Sequence, residues 1–162
     1  MLSMLVPAKR ENSAQFAIRR ASVAEGDRSY ALVSEYYQAV NVVARDDREE
    51  FLRDYFGPGA GFWLASVGDA IAGCIALRPL VGTESAEIKR MYVRPAWRGT
   101  GLAERLLEAA ECFARQAGYG SIYLDTTDEM KAAVKLYERH GYERSARYND
   151  NPQATIFMKK KL

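Results

Sequence analysis

Two glycines set two residues apart, Gly99 and Gly101, stand between Arg98 and an apolar run that begins at Leu102 and recurs at helical spacing. Glycine ahead of a helix bears on chemistry. The first backbone N–H groups of a helix have no internal acceptor and lie at the positive end of its dipole. With no side chain in the way, a phosphate can come close to those groups. Two uses of phosphate do not fit. A phosphoryl-transfer loop needs Gly-Lys followed by Ser or Thr, and the stretch "WRGTGLAERLL" from Trp97 to Leu107 has neither. A dinucleotide fingerprint needs a third glycine at 104, where the chain has Glu104. What remains is a loop that grips a phosphate without reacting with it, or a plain tight turn before a helix. The glycines alone leave both open.

The elements that position this loop can be read from periodicity. "QFAIRRA" (15–21) alternates weakly, as a strand does. Leu32, Val33, Tyr36, Tyr37 and Val40 recur at helical spacing between Asp27 and Val43, and a second, shorter helix is expected from Asp46 to Phe56. "GPGAG" (57–61) breaks the chain. "FWLASVGDAIAGCIALRPL" reads as a hairpin turning at "VGDA", and "SAEIKRMYV" (85–93) as a further strand. Residues 101–117 carry the clearest helix, with Leu102, Leu106, Ala110, Phe113 and Ala117 on one side and Glu104, Glu108, Glu111 and Arg115 on the other. "SIYLDT" is a strand, "EMKAAVKLYERH" a helix closed by Gly141, and "ATIFMKKKL" a last strand with a basic, solvated end. Adjacent strands imply antiparallel pairing; the strand–helix–strand run from 85 to 125 implies a parallel crossover.

Composition narrows the class. With 162 residues, 48% hydrophobic and 27% charged, the chain suits one packed domain. We read residues 14–162 as that domain and 1–13 as an N-terminal arm. A net charge of +2 gives no argument for nucleic acid or a membrane as partner. Cys74 and Cys112, each flanked by apolar residues, are expected to be buried, inert thiols. The apolar start is too short before Pro7 to act as a secretion signal. A soluble cytoplasmic protein is expected, and a homodimer stays open.

The stretch "EIKRMYVRPAWRGTGLAERLLEAAECFARQAGYGSIYLDT", followed by "AAVKLYERHGY", closely resembles the GNAT superfamily of acyl-CoA-dependent N-acyltransferases. That family's signature, Arg/Gln-x-x-Gly-x-Gly/Ala, is matched by Arg98-Gly-Thr-Gly101-Leu-Ala103. "MYVRP" is similar to the end of its central strand, and "LYERHGY" to its later helix and turn. The resemblance is specific from about Glu84 to Tyr142. It implies a single α/β (α+β) domain with a mixed central sheet, helices on both faces, and two parallel strands that splay apart to hold acyl-CoA.

The resemblance also implies site residues. Backbone N–H groups from Arg98, Gly99, Thr100, Gly101, Leu102 and Ala103 would bind the coenzyme A pyrophosphate. The strand edge at Met91, Tyr92 and Val93 would pair with the pantetheine arm, and Ser121 to Asp125 would form the other wall. No metal is implied, because no phosphoryl group moves. The reaction would be attack of an amine on a thioester. An amine with a pKa near ~10 must lose a proton before or during attack. N–H groups near Met91 or Val93 would face the oxyanion. Tyr137 occupies the position of the family's tyrosine acid; packing with a satisfied hydroxyl is its other reading. Glu87, four residues before Met91, would accept the amine proton through water, or else pair with Lys89 or Arg90. One departure stands out. Many members carry asparagine seven residues before the tyrosine, where this chain has Met130, with Thr126, Thr127 or Asp128 as substitutes. The only histidine, His140, reads as a cation at a helix C-terminus.

The acceptor would be a small-molecule (or peptide) amine. Tyr30, Tyr36, Tyr37 and the segment from Arg147 to Pro152 fall in the regions that build the family's acceptor pocket. Asp150 there suits an ammonium group; Arg90 or Arg147 suits a carboxylate. Two rival functions remain, a non-catalytic acyl-CoA sensor and a nucleotide-binding α/β module of the Rossmann kind.

Overall fold

The computed structural model describes residues 15–41, 43 and 46–162; the arm 1–13 lies outside them. Seven strands form one mixed sheet in the order β1-β2-β3-β4-β5-β7-β6. The strands are β1 (Ala17–Arg20), β2 (Gly61–Val67), β3 (Ala70–Pro79), β4 (Ser85–Val93), β5 (Ser121–Thr126), β6 (Glu143–Arg144) and β7 (Ile156–Lys161). Four α-helices accompany them: α1 (Gly26–Ala39), α2 (Arg48–Phe56), α3 (Leu102–Gln116) and α4 (Lys131–Arg139). Only β4 and β5 run parallel, joined across α3; the other neighbours are antiparallel. This is the mixed, single-domain architecture expected, and "SAEIKRMYV" and "SIYLDT" coincide with β4 and β5. Among the described residues no helix is long and apolar enough to cross a membrane.

The sheet is sandwiched. Leu102, Leu106, Leu107 and Ala110 of α3 pack with Ile75, Leu77, Ile88 and Ile122 on one face, joined by Val134, Leu136 and Tyr137 of α4. Leu32 and Val33 of α1 and Phe51 and Tyr55 of α2 pack with Phe62, Leu64 and Cys74 on the other. Each fully buried Leu or Phe stabilises the fold by roughly 1.5–3 kcal/mol. Local signals set the ends. Asp47 accepts from the Glu50 N–H (2.9 Å) and Glu50 accepts from the Asp47 N–H (3.0 Å), a reciprocal cap that starts α2. At the end of α1, Asn41 takes a left-handed φ of 52°, so the helix stops at Ala39 and not at Val43.

Three sequence expectations need correction. Cys74 is buried, but Cys112 is exposed, because it lies on the outward side of α3. Glu111 is buried, not on the polar side. It stands four residues after Leu107 and three before Ala114, on the buried stripe. Its carboxylate accepts from the Tyr142 hydroxyl (3.0 Å), Lys160 Nζ (2.8 Å) and, at 3.4 Å, Arg115. Lys160 is therefore no solvated tail residue; it ties β7 to α3. Breaking a largely buried pair leaves the other charge stranded. Glu111→Ala should lower stability by about 3 kcal/mol, the low end for such a pair because Arg115 and Lys160 keep part of their hydration, a drop of roughly 6–12 °C in melting temperature. Calorimetric melting checks this; an unchanged melting temperature would show that the cluster contributes nothing.

Candidate active site

The parting of β4 from β5 has a local cause. β3 and β4 pair Cys74 with Tyr92 and Ala76 with Lys89, so Ile75 alone faces two residues, Arg90 and Met91. Arg90 is the extra residue of this bulge, with φ at 56°, and the Cys74 thiol donates to its carbonyl (3.3 Å). A bulge bends its strand. Parallel pairing of β4 with β5 runs only from Ser85↔Ser121 to Ile88↔Leu124. Beyond that point β5 stays with β7 through Asp125↔Phe157 and Thr126↔Ile156. The edge of β4 at Met91, Tyr92 and Val93 is left free on the β5 side. The bulge also turns Lys89 and Arg90 toward the same pocket.

At the far end of β4 lies the glycine loop. Gly99 and Gly101 have φ of 73° and 81°, and Gly101 is the N-cap of α3. A Cβ built on either would meet nothing within 4 Å. The space above the loop is open. Arg98 Nε donates to the Val93 carbonyl (3.1 Å), which pins the loop to the end of β4, and the Thr100 hydroxyl donates to the Trp97 carbonyl (2.5 Å), which ties the loop to the turn before it. The buried Leu102 side chain anchors the first turn of α3. Among the described residues, no backbone N–H from Gly99 to Glu104 has a protein acceptor. Six consecutive free donors at a helix N-terminus are what a pyrophosphate needs, so the residues present fit that group.

A cavity of about 110 Å³ opens where the strands part, lined among others by Tyr36, Met91, Asp125, Thr126, Met130 and Tyr137. Tyr137 is placed there by the end of α4. The Tyr142 N–H donates to the Tyr137 carbonyl (3.0 Å) and the Gly141 N–H to the Glu138 carbonyl (3.1 Å), with Gly141 at φ 87°. This double closure is the Schellman motif. It lays the Tyr142 ring edge-on against Tyr137 at 5.7 Å between centroids. The Tyr142 hydroxyl is in turn held by Glu111. "LYERHGY" therefore has a physical meaning, as a cap that fixes one tyrosine ring. The Tyr137 hydroxyl has no hydrogen bond to the protein among the described residues. Burial, with smaller contributions from Tyr36 and Asp125, pushes its pKa well above the ordinary tyrosine value. It stays protonated at neutral pH.

Glu87 lies elsewhere. Its buried carboxylate accepts from Arg78 Nε (2.7 Å), directly across β3, and from the Tyr148 hydroxyl (2.9 Å), with Lys89 Nζ at 3.5 Å. Of the two cations expected beside it, Lys89 is present, whereas Arg90 pairs with Asp46 (2.9 Å). Glu87 does not line the cavity between the strands. Its partners Arg78 and Lys89 line a second pocket of about 240 Å³, together with Asp46, Asp54, Arg90 and Asp150, among others. The two spaces share Lys89, Arg90 and Asn151 as a wall.

Of the expected acceptor residues, Tyr36 and Tyr37 line the first space, Asp150 the second and Arg90 both. Tyr30 packs on Phe51, and Arg147 braces its own loop at the Asn151 and Ala154 carbonyls. Met130 and the candidate substitutes Thr126 and Thr127 face the first cavity; Asp128 is bonded to Thr155. A third cavity, about 340 Å³, lies between α1 and the β2–β3 turn. Its Glu35 and Arg94 are already joined by two bonds, 2.8 and 3.1 Å, and it lies apart from the splay.

Asp125 was not singled out from the sequence. It is the last residue but one of β5 and stands one residue beyond the last β4–β5 pair. Burial raises its pKa, but the Lys89 ammonium, with the amides of Asn149 and Asn151, outweighs that and holds the carboxyl below its usual range. The available signal was the one acid of "SIYLDT", near the carboxyl end of a parallel strand where ligands bind in α/β sheets.

Comparison with known proteins agrees with this geometry. A family model described as the Acetyltransferase (GNAT) family matches residues 28–142. The chain is 34% identical over 128 residues to the Schizosaccharomyces pombe protein named uncharacterized N-acetyltransferase C1271.07c, covering 75% of this chain and 78% of that one. It is 38% identical over 103 residues to the Escherichia coli protein named uncharacterized N-acetyltransferase YjgM, covering 62% of each. Among solved structures, a GNAT-family acetyltransferase from Staphylococcus aureus superposes with a TM-score of 0.79 at 21% identity, over 91% of this chain and 99% of that one. The yncA protein of Salmonella typhimurium, solved with acetyl-CoA, gives 0.70 at 21% identity, over 90% and 93%. At these identities the structures speak to the fold.

Proposed function

This chain belongs to the acetyltransferase (GNAT) family, and from that premise we propose that it moves an acetyl group from acetyl-CoA to a primary amine of a small molecule or peptide, by direct attack in a ternary complex. One observation carries the reading: β4 and β5 part between six free N–H donors at one end and the protonated, unbonded hydroxyl of Tyr137 at the other. Acetyl-CoA supplies a thioester carbonyl already activated toward an amine. The N–H groups of residues 99–104, in the loop that includes Arg98 to Ala103, hold the pyrophosphate. The free edge of β4 at Met91, Tyr92 and Val93 pairs with the extended arm, and an N–H at Met91 or Val93 takes up the charge that develops on the carbonyl oxygen. As the C–N bond forms and the C–S bond breaks, Tyr137 gives its proton to the departing sulfur.

The amine in turn gives up a proton. Glu87 receives it through water, with Lys89, which borders both spaces and lies 3.5 Å from Glu87, between the carboxylate and the cavity. Glu87→Gln is then expected to slow turnover at pH 7 by about 100-fold, and by much less near pH 10, where the amine deprotonates without help. Rates measured across pH check this. A profile of unchanged shape with only a lowered melting temperature would reduce Glu87 to the partner of Arg78.

The reading as a whole is tested by incubating the chain with acetyl-CoA and a panel of L-amino acids, diamines and lysine peptides while following free thiol. Release that depends on the amine is expected. Calorimetric binding of acetyl-CoA with no amine-dependent release would favour the sensor instead.

A further inference from the structure

Asp54, Arg78, Glu87, Lys89 and Asp125 form a row of alternating charges, with contacts of 2.7, 2.7, 3.5 and 2.8 Å in that order. At the outer end Asp54 also meets Arg53 (3.2 Å), a largely exposed cation. At the inner end the row stops at Asp125, whose side chain is only 8% exposed. Its Oδ2 is saturated, accepting from Lys89 Nζ (2.8 Å), Asn149 Nδ2 (2.6 Å) and Asn151 Nδ2 (3.2 Å). Its Oδ1 accepts from no donor among the described residues and is not sealed from the cavity that Asp125 shares with Tyr36 and Tyr137. A buried carboxylate is costly unless both oxygens are satisfied. The loop 149–151 spends two amides on one oxygen and leaves the other toward the space where an amine must stand.

We propose that Asp125 Oδ1 is the binding site for the acceptor's ammonium group, so that the acceptor enters as a cation, docks on β5 opposite the free edge of β4, and is delivered beside Tyr137. The alternation of the row is completed by that cation. The Lys89–Asn149–Asn151 clamp fixes the rotamer, which makes the anchor rigid. This rests on the acetyl-transfer reading for its purpose, but its test does not need turnover.

The side-chain amide signals of Asn149 and Asn151 report on the site by NMR. In the full chain they should shift saturably on titration with n-butylammonium and stay still with n-butanol, its neutral counterpart of the same shape. In Asp125→Asn, which keeps an oxygen for Lys89, the n-butylammonium affinity should fall at least tenfold. Equal responses to n-butanol and n-butylammonium in the wild-type chain would overturn the assignment, and this arm needs no variant. So would unchanged affinity in a well-folded Asp125→Asn. With an accepted amine from the panel, the same variant should raise the acceptor KM at least tenfold and leave the acetyl-CoA KM unchanged; an unaltered acceptor KM would count against the anchor. Absence of acetyl transfer to any amine would sink the catalytic reading, while the titration would still decide the fate of Asp125.

Discussion

Glutamate in place of Gly101 should abolish acetyl-CoA binding while the domain stays folded. Gly101 is the left-handed N-cap of α3, and its Cβ position faces open space. The new side chain clashes with nothing in the protein; its cost to the fold is the backbone strain of about 1–2 kcal/mol for a non-glycine residue in that conformation. Its carboxylate would stand in the mouth of the N–H cradle. Two like charges ~4 Å apart in an effective dielectric of ~20 repel by about 4 kcal/mol, close to a thousandfold in affinity. Calorimetry on a variant with a native-like melting curve checks this. Gly101→Ala adds the strain without the charge and should keep measurable binding. Normal affinity in the glutamate variant would mean that the pyrophosphate sits elsewhere.

Phenylalanine at Tyr137 is expected to lower kcat by about 100-fold or more, the contribution of a positioned acid. Affinity for acetyl-CoA should hardly change, since the ring still packs against Tyr142. Stability should not fall, because the hydroxyl has no protein partner to lose. The raised pKa adds a condition on the wild-type chain. Tyr137 keeps its proton through the ordinary tyrosine range near ~10, so the rate should show no alkaline decline from its ionisation below that pH. An unchanged kcat in the variant, measured with saturating acceptor, would return Tyr137 to a packing role.

What the sequence revealed and what it hid have different physical origins. The glycine loop, α3, β4 and β5 were legible because local patterns specify them. Gly99 and Gly101 occupy backbone conformations that favour glycine, and a three-to-four-residue apolar rhythm marks the helix. The bulge at Arg90 was not legible. Arginine carries no signal for a positive φ, and the distortion arises from the pairing of β3 with β4. It decides where the strands part, and it turns Arg90 away from Glu87 toward Asp46. Asp125 was hidden for a similar reason. Its donors come from Lys89 on the neighbouring strand and from Asn149 and Asn151 in a loop beyond α4, and only the folded sheet brings them together. The burial of Glu111 is a third case. Helical phase alone would have put it inside, but its charge argued for the surface, and its partners Tyr142 and Lys160 are 31 and 49 residues away.

Amide hydrogen exchange of the full chain with and without acetyl-CoA decides whether the gap between β4 and β5, together with the donors at the start of α3, forms the cofactor cleft. Slowed exchange should concentrate at residues 99–104, whose N–H groups have no protein acceptor among the described residues, and at the Met91 or Val93 N–H on the edge of β4 that β5 leaves free. Saturating protection confined to other segments, or no protection at concentrations where calorimetry shows binding, would contradict it.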